Sequence, residues 1–231
     1  MCPVPADSTT TTTAPGAPSG PIGGNSAAPA TAAPPRPARP VPAAVPAVAD
    51  AAVATVRTPA GPFTVVADVG GRGPATVLAA GWTGDVATLL PLITARVRPL
   101  RWQQASRIDG VTDAVLAYHD GDLAAVDRVP VRQAAGPYLD HALAVLRTVP
   151  AGAPLSYAAF AVLTGRPAAV RAAASACARN AAALFVPCHR ILRTDGTLGG
   201  FRWGLPVKRW LLDHESGDQR EAALFSGSAA S

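Results

Sequence analysis

A cysteine and a histidine stand side by side at Cys188 and His189, shortly before the glycine-rich segment 199–204 (GGFRWG). A cysteine becomes a nucleophile when a base takes its proton and a third group orients that base. Glu215 is the candidate for the third group, because it is a carboxylate on a helix predicted just downstream. These three side chains point to covalent chemistry at Cys188.

The expected proton path from Cys188 to His189 runs through one water molecule. Neighbouring side chains diverge along an extended backbone, so direct contact between the thiol and the imidazole would be strained. Glu215 falls in the last turn of a helix predicted over residues 206–215, where the helix dipole disfavours negative charge. A partner such as His189 would make that position favourable, and a solvent-exposed glutamate is the alternative.

A metal site is another interpretation of the cysteine and histidine. The chain has three cysteines, Cys2, Cys177 and Cys188, and none are paired at the two-residue spacing typical of zinc sites. Cys177 is expected to be a small packed residue. The scattered cysteines do not suit a disulfide framework, so free thiols in a reducing cytoplasm are expected. Neither a signal peptide nor a membrane span is predicted.

Positive charge is concentrated in the segment that holds these residues. The chain has a net charge of +5, whereas residues 131–215 carry ten Lys or Arg and four Asp or Glu, a net +6. Such a local excess favours a polyanionic partner. A solvated basic surface is the alternative, and charge alone does not decide between the two.

Composition and periodicity divide the chain into four parts. Residues 1–50 are a Pro-, Ala- and Thr-rich tail predicted to be disordered, and residues 217–231 are predicted to be a flexible tail. Residues 51–130 are predicted to form an α/β unit, and residues 131–216 a mostly helical one. The elements predicted in 51–130 are strands at 52–58, 63–69 and 75–82 and helices at 84–97, shortened or kinked by Pro91, and at 109–121.

A helix-turn-helix pattern lies inside the basic segment, after a helix predicted within 136–150. Residues 155–180 indicate a short helix, a tight turn at 164–167 and a second helix. Arg171, Ser175 and Arg179 recur every fourth residue and share one face of the second helix.

The remainder of this second helix is nearly all alanine. Val170, Ala174 and Cys177 are expected to pack inward. A slim helix with an arginine stripe can approach a nucleic-acid groove closely, and a solvated arginine face is the alternative.

Four segments of the chain together resemble the O6-alkylguanine-DNA alkyltransferases, also called methylated-DNA–protein-cysteine methyltransferases: PCHRI, GTLGGFRWGLPVKRWLLDHE, RAAASACARN and RTVPAGAPLSY. The resemblance is strong over 131–215, weaker over 51–130 and absent from the tail. It implies an α+β fold, with a small ribonuclease-H-like amino-terminal domain and a winged-helix-like, helix-turn-helix alkyltransferase domain. It implies no metal and no organic cofactor.

The resemblance assigns chemical roles to four residues of this chain. Cys188 matches the alkyl acceptor, whose thiolate attacks the alkyl carbon on O6 of guanine. His189 matches the residue that takes the thiol proton through a water, and Glu215 the carboxylate that orients it. Asn180 matches the asparagine that braces the active-site turn.

The family resemblance also assigns contacts with DNA to several residues. Tyr157 matches a tyrosine that helps to rotate the phosphate of the target nucleotide, and Arg171 the arginine that replaces the flipped base in the stack. Ser175 and Arg179 are expected on the same DNA-facing side, with the helix in the minor groove. Phe201 stands where the family usually has tyrosine, so one hydrogen bond to the target guanine is expected to be missing.

The resemblance implies that the protein is a monomer that repairs double-stranded DNA of any base sequence. It would do so by irreversible, single-turnover transfer of the alkyl group from O6-alkylguanine to Cys188. The damaged base must leave the duplex for its O6 substituent to be reached. Bulky Arg202 and Trp203 are expected to narrow the tolerance for large alkyl groups, and activity on O4-alkylthymine stays open. The alternatives are a lesion binder, a helix-turn-helix regulator and a cysteine hydrolase. The lesion binders replace the acceptor cysteine, which is present here as Cys188. The adaptive-response regulator adds a cysteine-rich zinc-binding domain and a second DNA-binding module, a hydrolase needs an oxyanion-hole motif, and none of these is visible in the sequence.

Overall fold

The computed structural model of the protein describes residues 48–227, with side chains described as far as residue 217. The predicted disordered tail therefore lies outside the described residues except at its end. There, Val48 is already buried and the first strand begins at Asp50, so ordered packing starts just before the predicted boundary at residue 51.

The amino-terminal part holds a four-stranded sheet and one α-helix, and helices dominate the carboxyl-terminal part, which confirms the α+β class. The strands within residues 48–227 are β1 (Asp50–Thr58), β2 (Gly61–Asp68), β3 (Thr76–Gly81), β4 (Arg101–Gln104), β5 (Leu155–Ser156) and β6 (Ile191–Leu192). The α-helices in the same range are α1 (Thr112–His119), α2 (Pro137–Leu146), α3 (Tyr157–Leu163), α4 (Val170–Arg179) and α5 (Leu205–Gly227). Short 3₁₀ turns lie at Val86–Thr88, Leu90–Leu92, Ala125–Arg128 and Cys188–Arg190.

The larger sheet has the strand order β3-β2-β1-β4. The three predicted strands are confirmed, and β1 and β2 form the predicted antiparallel hairpin with Thr58 opposite Gly61. Gly61 has a φ of 115°, a conformation that glycine adopts without a steric penalty. Strand β4 pairs parallel to β1 and was not predicted, because its four residues are all exposed and show no apolar alternation.

The helix predicted over residues 84–97 is wrong. The chain instead makes two 3₁₀ turns, Val86–Thr88 and Leu90–Leu92. Pro91 lacks an N–H group and disfavours helical geometry in the residue before it, so a continuous α-helix cannot run through it. Asp85 caps the first turn, where its side chain accepts a hydrogen bond of 2.8 Å from the Ala87 N–H.

One hydrophobic cluster joins the sheet to the carboxyl-terminal helices. It includes fully buried Phe63 and Tyr118 from the amino-terminal part and Phe160, Phe185 and Leu211 from the carboxyl-terminal part. Burying a side chain of this size stabilises the fold by roughly 1.5–3 kcal/mol. The predicted boundary between residues 130 and 131 is therefore not a break in the packing.

The free edge of β3 holds the chain on both sides of α2–α4. Val77 N–H donates to Pro130 O at 2.8 Å, and Ala80 N–H donates to Ala181 O at 2.9 Å. Ala183 N–H returns a bond of 3.0 Å to Ala80 O. This edge fixes the segment that follows α4 and leads to Cys188.

The last helix, α5, runs from Leu205 to Gly227, so the prediction that it ends at residue 215 is wrong. Residues 219–224 (QREAAL) are all good helix formers, which favours continuation of the helix beyond Gly217. Part of the predicted flexible tail is thus helical, and residues 228–231 lie outside the described range. Among the described helices, α5 included, none is both long enough and apolar enough to cross a membrane.

Candidate active site

Cys188 begins the 3₁₀ turn Cys188–Arg190, directly after the buried run 181–187. Its N–H donates to Val186 O at 2.8 Å, and Arg190 N–H donates to Pro187 O at 3.0 Å. The thiol is half-buried and free. Burial raises the pKa of the Cys188 thiol, while a hydrogen bond from Asn180 and the positive charge of Lys208 act to lower it.

Asn180, one of the predicted site residues, terminates α4 and braces the Cys188 turn. Its Nδ2 donates to Val186 O at 2.8 Å and to Cys188 Sγ at 3.2 Å. Its Oδ1 accepts a bond of 3.1 Å from Ala182 N–H. Because the amide plane is held at both ends, its N–H group is directed at the sulfur.

His189 and Glu215 meet as the sequence predicts. His189 Nε2 lies 2.8 Å from Glu215 Oε1, and both side chains are buried, at 1% and 0% exposure. Burial lowers the pKa of His189, and the nearby carboxylate opposes this shift. His189 Nδ1 is also buried and has no hydrogen-bond partner among the described residues. This leaves one ring nitrogen able to accept a proton.

Glu215 does not lie in the last turn of its helix, as predicted, because α5 continues well past it. Its negative charge is instead stabilised by a buried network that the sequence reasoning missed. Arg190 donates to Oε1 from Nη2 at 2.9 Å, and Tyr118 Oη donates to Oε1 at 2.7 Å. Burial alone would raise the pKa of Glu215, but His189 and Arg190 hold it well below its usual range.

The sequence carries a local signal for Arg190 as a partner of Glu215, but none for Tyr118. Arg190 belongs to the PCHR motif and could have been suspected for that reason. Tyr118 lies far away in sequence, on α1, and nothing in its surroundings indicates a link with Glu215.

Lys208 is a further residue that sequence reasoning missed. It is the single lysine of the chain, and it is fully buried on α5. Its Nζ donates to Ile191 O at 2.7 Å, and within residues 48–217 no carboxylate forms an ion pair with it. Burial lowers the pKa of Lys208, and the nearby Cys188 and Cys177 thiols oppose the shift. A buried amino group without a carboxylate partner among these residues thus acts electrostatically on the thiol.

A cavity of about 480 Å³ opens beside the sulfur. Its walls come from α3, α4, the Cys188 turn and the segment 199–204. The lining residues are Tyr157, Ala174, Cys177, Ala178, Asn180, Cys188, Gly200, Phe201, Arg202 and Trp203. The predicted residues Tyr157 and Phe201 are therefore brought together with Cys188, in a space large enough for a nucleobase.

The segment 199–204 is held against two other parts of the molecule. Arg202 Nη2 donates to Ala178 O on α4 at 2.8 Å. A Cβ placed on Gly81 of β3 would lie only 2.0 Å from the Trp203 ring, so only a glycine there admits the indole. These contacts fix the outer wall of the cavity.

The helix-turn-helix pattern is confirmed as α3 and α4. The predicted inward face of α4 is wrong at Val170, whereas Cys177 is partly buried and packs against the core as predicted. Ala173 and Ala176 are the fully buried residues, Val170 is exposed, and Ala174 and Cys177 line the cavity. Alanines at nearly every position give no hydrophobic contrast from which to read the phase of the helix.

The remaining predicted contact residues lie outside the cavity, along α4. Arg171 and Arg179 are exposed, and Ser175 is half-buried between them. Arg179 Nε donates to Ser175 O at 3.4 Å. The three residues thus form a polar stripe beside the cavity rather than part of its wall.

Known proteins are similar to this chain in sequence and in fold. Residues 137–217 match the family model described as "6-O-methylguanine DNA methyltransferase, DNA binding domain". The methylated-DNA–protein-cysteine methyltransferase of Shigella flexneri is 31% identical over 160 residues, which cover 68% of this chain and 91% of that protein. The bifunctional transcriptional activator/DNA repair enzyme Ada of Escherichia coli is 54% identical over 71 residues, 31% of this chain and 20% of Ada.

A solved structure gives the same result. The crystal structure of Mycobacterium tuberculosis OGT in complex with DNA matches with a TM-score of 0.57 and 26% identity, over 72% of this chain and 94% of that one. The chain therefore belongs to the methylated-DNA–protein-cysteine methyltransferase family, and it is an enzyme of that activity. The resemblance predicted from the sequence is confirmed.

Proposed function

We propose that this protein repairs double-stranded DNA by moving the alkyl group of O6-alkylguanine to Cys188. The observation that carries the proposal is the position of the Cys188 sulfur at a cavity of nucleobase size, beside the buried His189–Glu215 pair. Asn180 donates to the sulfur and supports the negative charge that develops there.

His189 acts as the base through one water molecule. The thiol proton passes to that water while the water gives a proton to His189 Nδ1, the nitrogen without a described partner. Glu215 holds the opposite nitrogen and stabilises the imidazolium. The Sγ–C bond forms as the C–O6 bond breaks, and the guanine keeps the electron pair and takes up a proton from solvent.

Cys188 is used once. The product is a thioether, which water does not cleave, so the acceptor is consumed and no second turnover follows. The imidazolium loses its proton to solvent, which balances the proton taken up by the guanine. The positive charge of buried Lys208 favours the thiolate form as the proton leaves.

We propose that α4 enters the minor groove and that the damaged nucleotide rotates into the cavity. The cavity can take an isolated base, whereas the thiol could not reach O6 inside a stacked duplex. The small side chains of α4 permit close approach to a narrow groove. Arg171, exposed on α4, would fill the gap in the stack, and Ser175 and Arg179 would contact the backbone.

Tyr157 and Phe201 line the cavity and would touch the rotated nucleotide there. Residues 131–216 would supply the winged-helix-like alkyltransferase domain, and residues 51–130 a ribonuclease-H-like domain that supports it. The β3 edge and the Gly81–Trp203 contact are the means of that support. We propose a monomer acting on DNA of any sequence in the cytoplasm, where a free acceptor thiol stays reduced.

The decisive experiment follows the label from a duplex that carries O6-[³H-methyl]guanine. We expect one equivalent of label on the Cys188 peptide and none in Cys188→Ala. Cys177→Ala is the matched control, because Cys177 lines the same cavity and should leave the label in place. Tight lesion binding without transfer by the wild-type protein would favour the lesion binder.

Base rotation has its own test. We expect 2-aminopurine opposite or beside the lesion to brighten on binding, and Arg171→Ala to reduce both the signal and the transfer rate. A control on the same stripe is Arg179→Ala, which should weaken DNA affinity without removing the fluorescence change. Equal fluorescence in the Arg171 variant would contradict the proposed role.

A further inference from the structure

Gln133 is a buried polar residue in the segment between Arg128 and α2, and it is 8% exposed. Its backbone carbonyl accepts a hydrogen bond of 2.8 Å from Thr94 Oγ1. Two residues earlier, Val131 forms a bridge to Val77 of β3. The backbone at Gln133 is therefore fixed to the amino-terminal part of the protein.

The side chain of Gln133 reaches in the other direction, to the end of α4. Its Nε2 donates to Asn180 Oδ1 at 2.9 Å, and its Oε1 accepts a bond of 2.8 Å from Ala181 N–H. Both halves of the amide are thus used on two consecutive residues. Such a two-point contact fixes the position and the tilt of the group that it holds.

The group held by Gln133 is the one that touches the acceptor sulfur. Asn180 Oδ1 accepts from Gln133 and from Ala182 N–H, while Asn180 Nδ2 donates to Val186 O and to Cys188 Sγ. The amide group is planar, so anchoring its oxygen also directs its nitrogen. Without Gln133, Asn180 Oδ1 and the Ala181 N–H group each lose one hydrogen-bond partner.

We propose that Gln133 is a positioning residue for alkyl transfer, which holds Asn180 so that its amide donates to the Cys188 sulfur as negative charge develops. The proposal rests on the assignment of Cys188 as the acceptor. A hydrogen bond to a thiolate is stronger than one to a thiol, so a well-placed donor stabilises the transition state more than the resting state. Gln133 touches neither sulfur nor cavity and acts through Asn180.

The test replaces Gln133 with methionine, which has a similar length and shape but no polar group. We expect single-turnover transfer to O6-methylguanine DNA to slow by about five- to tenfold, the effect of losing roughly one buried hydrogen bond. We also expect the pKa of the Cys188 thiol, read from the pH dependence of its alkylation by iodoacetamide, to rise by about half a unit to one unit. If Gln133 served folding alone, the variant would contain a smaller fraction of active protein, but its transfer rate and the pKa of its Cys188 thiol would be unchanged.

A double-mutant cycle shows whether the effect passes through Asn180. Asn180→Ala removes the donor to sulfur, so adding Gln133→Met should slow transfer no further. The matched control is Gln104→Met on exposed β4, which should transfer at the wild-type rate. If Gln133→Met gives no folded fraction, Gln133→Glu takes its place; it keeps an acceptor for Ala181 N–H and should be slower than wild type above neutral pH.

Three results would overturn the proposal. The Gln133 variant could transfer at the wild-type rate, or the pKa of its Cys188 thiol could be unshifted. In the third, the double variant would transfer more slowly than Asn180→Ala alone, by the factor that Gln133→Met causes by itself. The underlying assignment fails in a different way. If the wild-type protein carries its label anywhere other than Cys188, the acceptor is wrong, whatever the Gln133 variant does.

Discussion

Replacing Glu215 with glutamine removes the negative charge of the buried network and keeps the shape of the side chain. In the wild-type protein Glu215 Oε1 accepts from His189 at 2.8 Å, from Tyr118 at 2.7 Å and from Arg190 at 2.9 Å. An amide cannot accept all of these bonds, and its NH₂ group opposes the donors. Arg190, only 2% exposed, would remain as a buried cation without a counter-ion.

The expected loss of unfolding free energy is about 3–5 kcal/mol, as for a buried ion pair that loses one partner. The pH dependence has a definite sign. The pKa of Glu215 is lowered in the folded state, so its contribution is complete above the unfolded value of about 4.3 and is lost as pH falls through the folded value. The difference between wild type and variant should therefore be largest near neutral pH and shrink in acid.

The transfer rate should fall as well, because Glu215 no longer neutralises the imidazolium formed on His189. Two charges 4 Å apart interact by about 4 kcal/mol at an effective dielectric constant of 20. The glutamine dipole retains part of this, which leaves about 2–3 kcal/mol, or roughly 30- to 150-fold in rate. Burial lowers the pKa of His189, and the Glu215 carboxylate opposes that shift. The pKa of His189 should therefore fall further in the variant, because the carboxylate is gone.

The assay is single-turnover methyl transfer at pH 7.5, with rates read separately from the active fraction, alongside urea unfolding between pH 3 and pH 8. Asp213→Asn is the matched control, because it makes the same charge change on the exposed side of α5. A Glu215→Gln rate within threefold of wild type would refute the proton path. A stability difference that does not shrink in acid would refute the electrostatic account.

Three further changes test other parts of the site. Phe201→Tyr should speed transfer by about two- to tenfold by adding one hydrogen bond to the guanine, and an unchanged single-turnover rate would contradict this. Lys208→Met should slow transfer by about tenfold and move alkylation of the acceptor thiol by iodoacetamide to higher pH, because the buried positive charge that lowers the pKa of that thiol is lost. A thiol titration like that of the wild-type protein would count against this role. Gly81→Ala should displace Trp203 and cost about 1–3 kcal/mol in unfolding free energy with slower transfer, whereas Gly73→Ala, whose new Cβ meets nothing within 4 Å, should change neither.

The sequence by itself determined the family and predicted that His189 meets Glu215. The order of Cys188 and His189 excludes easy direct contact between them, and the structure indeed pairs His189 with Glu215 instead. The hairpin, α1, α2 and the helix-turn-helix pair were also predicted correctly, because turn residues and helix signals at those places are local. Local signals need no knowledge of the rest of the chain.

Only the tertiary structure decided what surrounds these residues. Tyr118 and Gln133 are brought to Glu215 and Asn180 from distant parts of the sequence, and no local pattern encodes such meetings. The phase of α4 was likewise set by packing, since a run of alanines carries no hydrophobic contrast. A motif can specify which groups react, but the dielectric environment and the orientation of those groups depend on what the whole fold buries beside them.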